Sequence, residues 1–301
     1  MKKIIDGIMQ LDVISSKPPL LIDIGASGEI YAKWKDIAKY CFCIAFDADD
    51  RDFTAEVQEG QGYKKLYKIN RIVSADAEET KTFYLTRSPH CSSTLRPDKQ
   101  RLADWEFSPL FEVEREVTLP SILLNKAVES TGYDYIDWFK IDSQGTDLDI
   151  FLSLPDSIRS TILAADFEPG IIDAYVGEDK LYQVHKTIDN ENMWFSSFTV
   201  KGTKRINHSY GNISNQLRTS PCWAELTALK KTGTQDLRSQ LLLIVFSLIE
   251  EQWGFALEVI DKSALKDKIL QNIKAEILNE IASASVFKRK FRSLLSKLGL
   301  R

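Results

Sequence analysis

The sequence has no long apolar run. Its longest, Leu241 to Ile249, falls well short of the ~20 residues that cross a bilayer. At the N-terminus, Asp6 and Asp12 interrupt any apolar core in "MKKIIDGIMQLDV", so it does not read as a secretory signal and a cytoplasmic protein is expected. Cysteine is scarce. Cys41, Cys43, Cys91 and Cys222 include no C-x-x-C pair for zinc, so no metal site is expected. Cys41 and Cys43 stand two apart, share a face if they lie on a strand and make poor disulfide partners. The thiols therefore read as small buried hydrophobes in a reducing compartment. A strong charge of either sign is also missing: the net value of -4 gives no reason to expect a nucleic-acid partner. Low-complexity tracts and internal repeats are absent.

What is present is an alternation of short apolar runs and helical patterns. Within 301 residues, 44% hydrophobic and 27% charged, there is room for one large domain and an appendage. Residues 1 to 18 read as a short helix ended by Pro18-Pro19. Runs at Leu20–Ile24, Phe42–Phe46, Leu66–Val73, Lys81–Leu85, Phe111–Leu119, Ile136–Ile141, Thr161–Ala165, Met193–Val200 and Cys222–Leu229 read as strands. Between them, helices are expected from Glu29 (Ile30, Trp34, Ile37 and Ala38 at helical spacing), from Asp50 to Gly60, from Pro120, and from Glu178 to Asn190. Thr146 with Asp149 forms a capping-box pattern for a helix stopped by Pro155. Repeated strand–helix alternation implies an α/β fold with a doubly wound, mostly parallel sheet. Arg87 to Leu110, with Pro89, Pro97 and Pro109 and no clean period, reads as a lid or binding loop.

Three blocks draw attention as chemistry. "LLIDIGASGE" is an apolar strand that ends on Asp23 and breaks at Gly25 and Gly28, with Ala26 and Ser27 between. Such a strand–turn–helix junction builds a ligand crevice at the carboxyl end of a sheet. The spacing is G-x-x-G, whereas a dinucleotide fingerprint is G-x-G-x-x-G, which disfavours a pyrophosphate cradle. "AFDADD" and "WFKIDSQGTDLDI" are the other two, each a buried strand ending on an acid, Asp47 and Asp142. Together the blocks resemble the FkbM-type family of S-adenosylmethionine-dependent methyltransferases over roughly residues 19 to 169. Gln144 and Asp147 stand where that family usually has glutamates.

The resemblance implies a class I methyltransferase, Rossmann-like fold that binds S-adenosylmethionine and methylates a hydroxyl of a sugar, glycolipid or related small acceptor. It places Asp23, Gly25, Ala26 and Gly28 at the methionine part of the cofactor and Asp47 on the ribose hydroxyls. Asp76, in an acidic turn after the third strand, is a candidate for the adenine side. Asp142 is the candidate group that positions or deprotonates the acceptor. An ion pair with Lys140, on the same face by alternation, is the structural alternative. His90 sits in the lid within "SPHCSST", beside Ser92 and Ser93, which resemble a serine pair of the family. Arg87, Arg96 and Arg101 would suit a phosphorylated or acidic acceptor, or form a solvated basic loop. Trp105, Trp194 and Trp223 are sugar-stacking or core residues.

The boundary is expected near residue 232, giving a cofactor-binding domain over 1–232 and a helical C-terminal extension over 233–301. Asp236–Ile260, Ser263–Ser283 and Val286–Leu300 read as helices. A stripe of Leu265, Ile269, Ile273, Ile277 and Ile281 suits self-association or packing on the parent domain, and the basic last helix suits weak contact with an anionic membrane surface. Two other function classes stay open: a scaffold whose catalytic groups have decayed, and a nicotinamide-dependent oxidoreductase.

Overall fold

The structure is a computed structural model that describes residues 1–26, 29–48, 55–233, 236–265 and 267–297, with the backbone alone for 211, 212, 214 and 284–297. Gly28 and residues 49–54, parts of the sequence-predicted site and helix, lie outside the described residues. The chain divides into two compact units, Pro18–Lys231 and a helical unit that joins Met1–Lys17 to residues from Thr232 onward.

In the larger unit the strands are β1 (Leu20–Ile24), β2 (Phe42–Phe46), β3 (Glu56–Glu59), β4 (Lys65–Ile69), β5 (Ile72–Ser74), β6 (Thr80–Thr86), β7 (Val113–Leu123), β8 (Trp138–Ile141), β9 (Ala164–Phe167), β10 (Met193–Thr203) and β11 (Ser220–Lys230). Eight of them form one sheet in the order β10-β11-β9-β8-β1-β2-β4-β3. The pairs β1–β2, β2–β4, β1–β8 and β8–β9 are parallel, whereas β11 runs antiparallel to both β9 and β10. Strands β1, β8 and β9 are buried along their whole lengths, as continuous apolar runs require when a parallel sheet is covered on both faces. Their side chains form one core: Leu20, Ile22, Phe139, Ile141, Ala165 and Phe167 pack with Phe151 and Val184 from the crossover helices. The chain leaves β1 toward β2 and β4, then returns across β1 to add β8. The carboxyl ends of β1 and β8 therefore flank the point where the strand order reverses, the usual ligand crevice of an open α/β sheet.

The helices, in chain order, are α1 (Lys2–Met9), α2 (Asp12–Ser15), α3 (Lys99–Leu102), α4 (Leu124–Ser130), α5 (Asp147–Ser153), α6 (Asp156–Arg159), α7 (Leu181–Asn190), α8 (Leu237–Ile249), α9 (Trp253–Asp261) and α10 (Lys268–Lys297). Several sequence expectations change. The helix expected from Glu29 is two short 3-10 turns, Ala32–Trp34 and Ala38–Tyr40; Trp34, Ile37 and Ala38 are buried but Ile30 is not. The described end of the helix expected from Asp50 is a strand, β3, antiparallel to β4. Pro120 does not start a helix but sits within β7, opposite Thr80. β5, β7 and β6 make a second, three-stranded sheet. The lid segment is the connection between β6 and β7. It is built of 3-10 turns at Pro89–Cys91 and Ser108–Phe111 around α3, with its own small core of Cys91, Leu102, Phe111 and Tyr175.

In the helical unit, α8 is apolar on every side and Leu241 to Phe246 are fully buried. α1 belongs here: Ile4, Ile5 and Ile8 are buried, and α1 contacts α8 and α10. The domain expected over 1–232 therefore loses its first 17 residues to the helices, because each of those isoleucines gains about 1.5–3 kcal/mol from burial. Instead of two helices, residues 268–297 make one, in which Ile273 and Ile277 are buried and Ile281 is exposed. The side chains of the basic stretch lie outside the described residues. None of the described helices is long and apolar enough to cross a membrane.

Candidate functional site

At the reversal point, β1 ends in Gly25 with φ of 77°. A Cβ on Gly25 would lie 2.3 Å from the Asp142 carbonyl oxygen, so glycine is required here by the approach of β8 and not only by a ligand. The Asp142 amide donates to the Ile24 carbonyl at 3.0 Å, locking the two strand ends together. Beneath them, Lys140 pairs with Asp23 at 2.9 Å, its register partner on the neighbouring strand. Its Nζ also donates to the carbonyl of Gly25 at 3.0 Å. Burial lowers the Lys140 pKa, but the charges of Asp23 and Asp142 outweigh it and hold the ammonium firmly protonated. Burial likewise pushes Asp23 up against the pull of Lys140. Asp23 and Lys140 thus brace the turn, and the alternative ion pair of Lys140 with Asp142 does not form.

Asp142 is held differently. Gln144, at φ of 58°, donates its amide to Asp142 Oδ1 and accepts from the Tyr175 hydroxyl at 3.0 Å. The Gln144 carbonyl accepts from Ser93 Oγ at 2.8 Å, which fastens the lid to the end of β8. A glutamate at this position would set a second carboxylate against Asp142; the amide orients Asp142 instead. Asp142 Oδ2 makes no hydrogen bond among the described residues. Three residues after Gln144, Asp147 accepts from Ser143 Oγ at 2.6 Å and from the Glu168 amide at 3.0 Å, tying the turn to the end of β9. Burial and the charge of Asp142 push Asp147 up to about 6. The expected capping box is absent. Instead the Asp179 carboxylate, from a distant loop, accepts from Leu148 N at 2.7 Å and Asp149 N at 3.3 Å, so α5 is capped in trans.

Two cavities meet at Asp142. The first is a cleft of about 70 Å³ lined by Gly25, Asp47, Arg71, Val73, Ser92 and Asp142, among others. This volume holds only part of a nucleoside. Residues 27–28 and 49–54, which follow Ala26 and Ala48 in sequence, lie outside the described residues. The second, about 360 Å³, is lined by His90, Phe107, Asp142, Glu168, Trp223 and Glu225, with further lid and loop residues around them. Here Phe107 and Trp223 lie parallel, their centroids 6.4 Å apart. Burial, then the charges of Asp142, Asp147 and Glu225, push Glu168 up to about 9, so its carboxyl is protonated at neutral pH.

Of the sequence-predicted site residues, Gly25, Asp47 and Asp142 therefore come together on one cleft, and His90 sits exposed at the second cavity. Asp23 and Ala26 line a different hollow, of about 120 Å³. Asp76 is in neither cavity; its carboxylate pairs with Lys81 at 2.5 Å on the β5–β6 turn. Arg71, Ile72 and Val73 line the smaller cleft. Arg87, Arg96 and Arg101 line neither cavity: Arg87 pairs with Glu112 and Arg101 with Asp173. Trp105 is buried, whereas Trp223 lines the larger cavity. Glu168, Glu225 and Tyr175 were missed as site residues. An acid just beyond the end of β9, on the same sheet edge as Asp47 and Asp142, was the one available signal.

No family model and no curated protein matches the chain. Among solved structures, an uncharacterized protein from Listeria monocytogenes serotype 4b is similar, with 10% identity, coverage of 94% of this chain and 96% of that one, and a TM-score of 0.30. The fold seen here is α/β, with a mostly parallel eight-stranded sheet.

Proposed function

We propose that the protein is an S-adenosylmethionine-dependent O-methyltransferase acting on a hydroxyl of a sugar, glycolipid or related small acceptor. The observation that carries this reading is that Asp142 lines both cavities, one framed by the glycine turn and Asp47, the other by the lid. Methyl transfer needs such an arrangement, because donor and acceptor must approach in line from two sides of one point. The strand order supports it as well. β11 is a reversed strand inserted beside β9, which separates this sheet from the all-parallel 3-2-1-4-5-6 dinucleotide order and suits a class I methyltransferase.

The residues present fit the cofactor in kind. Asp47, at the carboxyl end of β2, offers a carboxylate to ribose hydroxyls, and the Gly25 turn brings bare backbone to the cleft. S-adenosylmethionine, when bound, supplies an electrophilic methyl group. Asp142 Oδ2 orients the acceptor hydroxyl and takes its proton, while Gln144 fixes the carboxylate through Oδ1. The lid, fastened to the end of β8 by Ser93 and linked to it through Tyr175 and Gln144, walls one side of the acceptor cavity.

The test is transfer of labelled methyl to a panel of glycosides by wild type, Asp142→Asn and His90→Ala. Asp142→Asn is expected to lower turnover about 10²–10⁴-fold, the range for general acid–base groups, and His90→Ala by much less. Full turnover in Asp142→Asn together with its loss in His90→Ala would show the two roles to be reversed.

A further inference from the structure

The acceptor cavity has a one-sided charge. Its described lining includes Asp142, Glu168, Glu178 and Glu225 but no lysine or arginine, and His90 is its one basic side chain. The lid arginines that would greet a phosphate are spent elsewhere, Arg87 on Glu112 and Arg101 on Asp173. The acids are not equivalent. Glu178 is neutralised by Lys180 at 2.5 Å and Glu225 by Lys201 at 3.0 Å. The carboxyl of Glu168 makes no hydrogen bond or ion pair among the described residues, and it is protonated at neutral pH. Asp142 is thus the ionised acid without an ion-pair partner among the described residues; Lys140, paired with Asp23 and outside the cavity lining, acts on it only at longer range. Trp223, two residues from Glu225 on β11, lies parallel to Phe107 in the same cavity, with Phe111 in edge contact with Phe107 and with Tyr175.

An aromatic surface of this kind takes the C–H face of a ring. A protonated carboxyl gives a hydroxyl both a donor and an acceptor. A volume of about 360 Å³ lies within the range of small-ligand sites. We propose that the acceptor is an uncharged, hydroxyl-rich ring that lies against Trp223 and hydrogen-bonds Glu168, and that acceptors bearing phosphate or carboxylate are rejected. The inference rests on the methyl-transfer reading of the same cavity. An anion would face Asp142 with no lysine or arginine in the lining to meet it. An ammonium is not demanded either, because the other acids are already paired or protonated.

The test uses the full chain and four probes: methyl glucoside, glucuronate, glucose 6-phosphate and glucosamine, followed by saturation-transfer NMR with S-adenosylhomocysteine present. Methyl glucoside is expected to bind, with both anions at least about tenfold weaker, the scale of one unscreened like charge at a partly buried site. Trp223→Ala should weaken methyl glucoside about fivefold or more, since ring stacking is lost. Glu168→Lys should narrow or invert the discrimination against the anions. If that variant melts early, Glu168→Ala serves: it should weaken methyl glucoside about fivefold, as the hydrogen bond is lost, and undiminished binding would remove Glu168 from the site. Equal or tighter binding of either anion by wild type overturns the inference, as does glucosamine binding tenfold tighter than methyl glucoside. Calorimetry with S-adenosylhomocysteine on the same preparations separates the two levels. Failure to bind it refutes the methyltransferase reading, whereas binding with a preference for anions refutes the acceptor class alone.

Discussion

Replacing Glu168 with glutamine should change how stability depends on pH. The carboxyl is pushed from an ordinary 4.5 up to about 9 by burial and the neighbouring charges of Asp142, Asp147 and Glu225. The folded chain therefore holds a proton that the unfolded chain releases. The contribution of Glu168 to stability is fully present below pH 4.5 and is lost as the pH rises through the folded value near 9. At pH 7 the loss spans about 2.5 pH units at ~1.4 kcal/mol each, an upper bound of about 3.5 kcal/mol. Water reaching the cavity screens the group, so on the order of 1–2 kcal/mol is expected. Glutamine matches the shape, does not ionise and forfeits no hydrogen bond, because the carboxyl makes none among the described residues. Urea unfolding at pH 5, 6, 7 and 8 measures the difference. Wild type and variant should be nearly equal at pH 5, with the variant more stable by 1–2 kcal/mol at pH 7 and by more at pH 8. Parallel curves for the two proteins over the whole range would refute the claim that the fold keeps this acid protonated.

Other substitutions test the frame of the site. Gly25→Ala sets a Cβ 2.3 Å from the Asp142 carbonyl and strains a φ of 77°, so it should cost about 2–4 kcal/mol by chemical denaturation and displace Asp142. Asp179→Ala strips the carboxylate that caps α5 from afar, leaving the buried Leu148 amide unpaired; a loss of about 1–2 kcal/mol is expected in the same assay. A fragment covering Pro18–Lys231 should unfold in a single cooperative transition. One that retains residues 1–17 without the C-terminal helices should associate through its uncovered Ile4, Ile5 and Ile8, as light scattering would report.

Strand ends were the legible part of the sequence. An apolar run closed by an acid located β1, β2 and β8, and with them Gly25, Asp47 and Asp142, because a strand buried on both faces leaves few alternatives for its residues. What failed depended on partners far away in the chain. Ile30, Trp34, Ile37 and Ala38 keep helical spacing, yet they are served by two 3-10 turns. Nothing near Thr146 announces that Asp179 will cap α5, so a local capping box was the natural but incorrect reading. Lys140 and Asp142 do alternate onto one face, but register with β1 gives Lys140 a closer partner in Asp23. Gln144 looked like a departure from a motif. Only with Ser93 and Tyr175 in place does it become the link from Asp142 to the lid. The acidic turn at Asp76 carried no sign of its neighbour Lys81, which pairs with it outside both cavities.

The central claim is that the cleft between Gly25, Asp47 and Asp142 binds the methyl donor while Asp142 serves the acceptor. Titration calorimetry of wild type, Asp47→Ala and Asp142→Asn with S-adenosylhomocysteine, and of wild type with NAD, tests it most directly. Wild type should bind S-adenosylhomocysteine more tightly than NAD. Asp47→Ala should lose about 1.5–3 kcal/mol, the value of a hydrogen bond to a charged group, and Asp142→Asn should bind nearly as wild type does. Tighter binding of NAD, or an Asp47→Ala variant with undiminished affinity, would contradict the account.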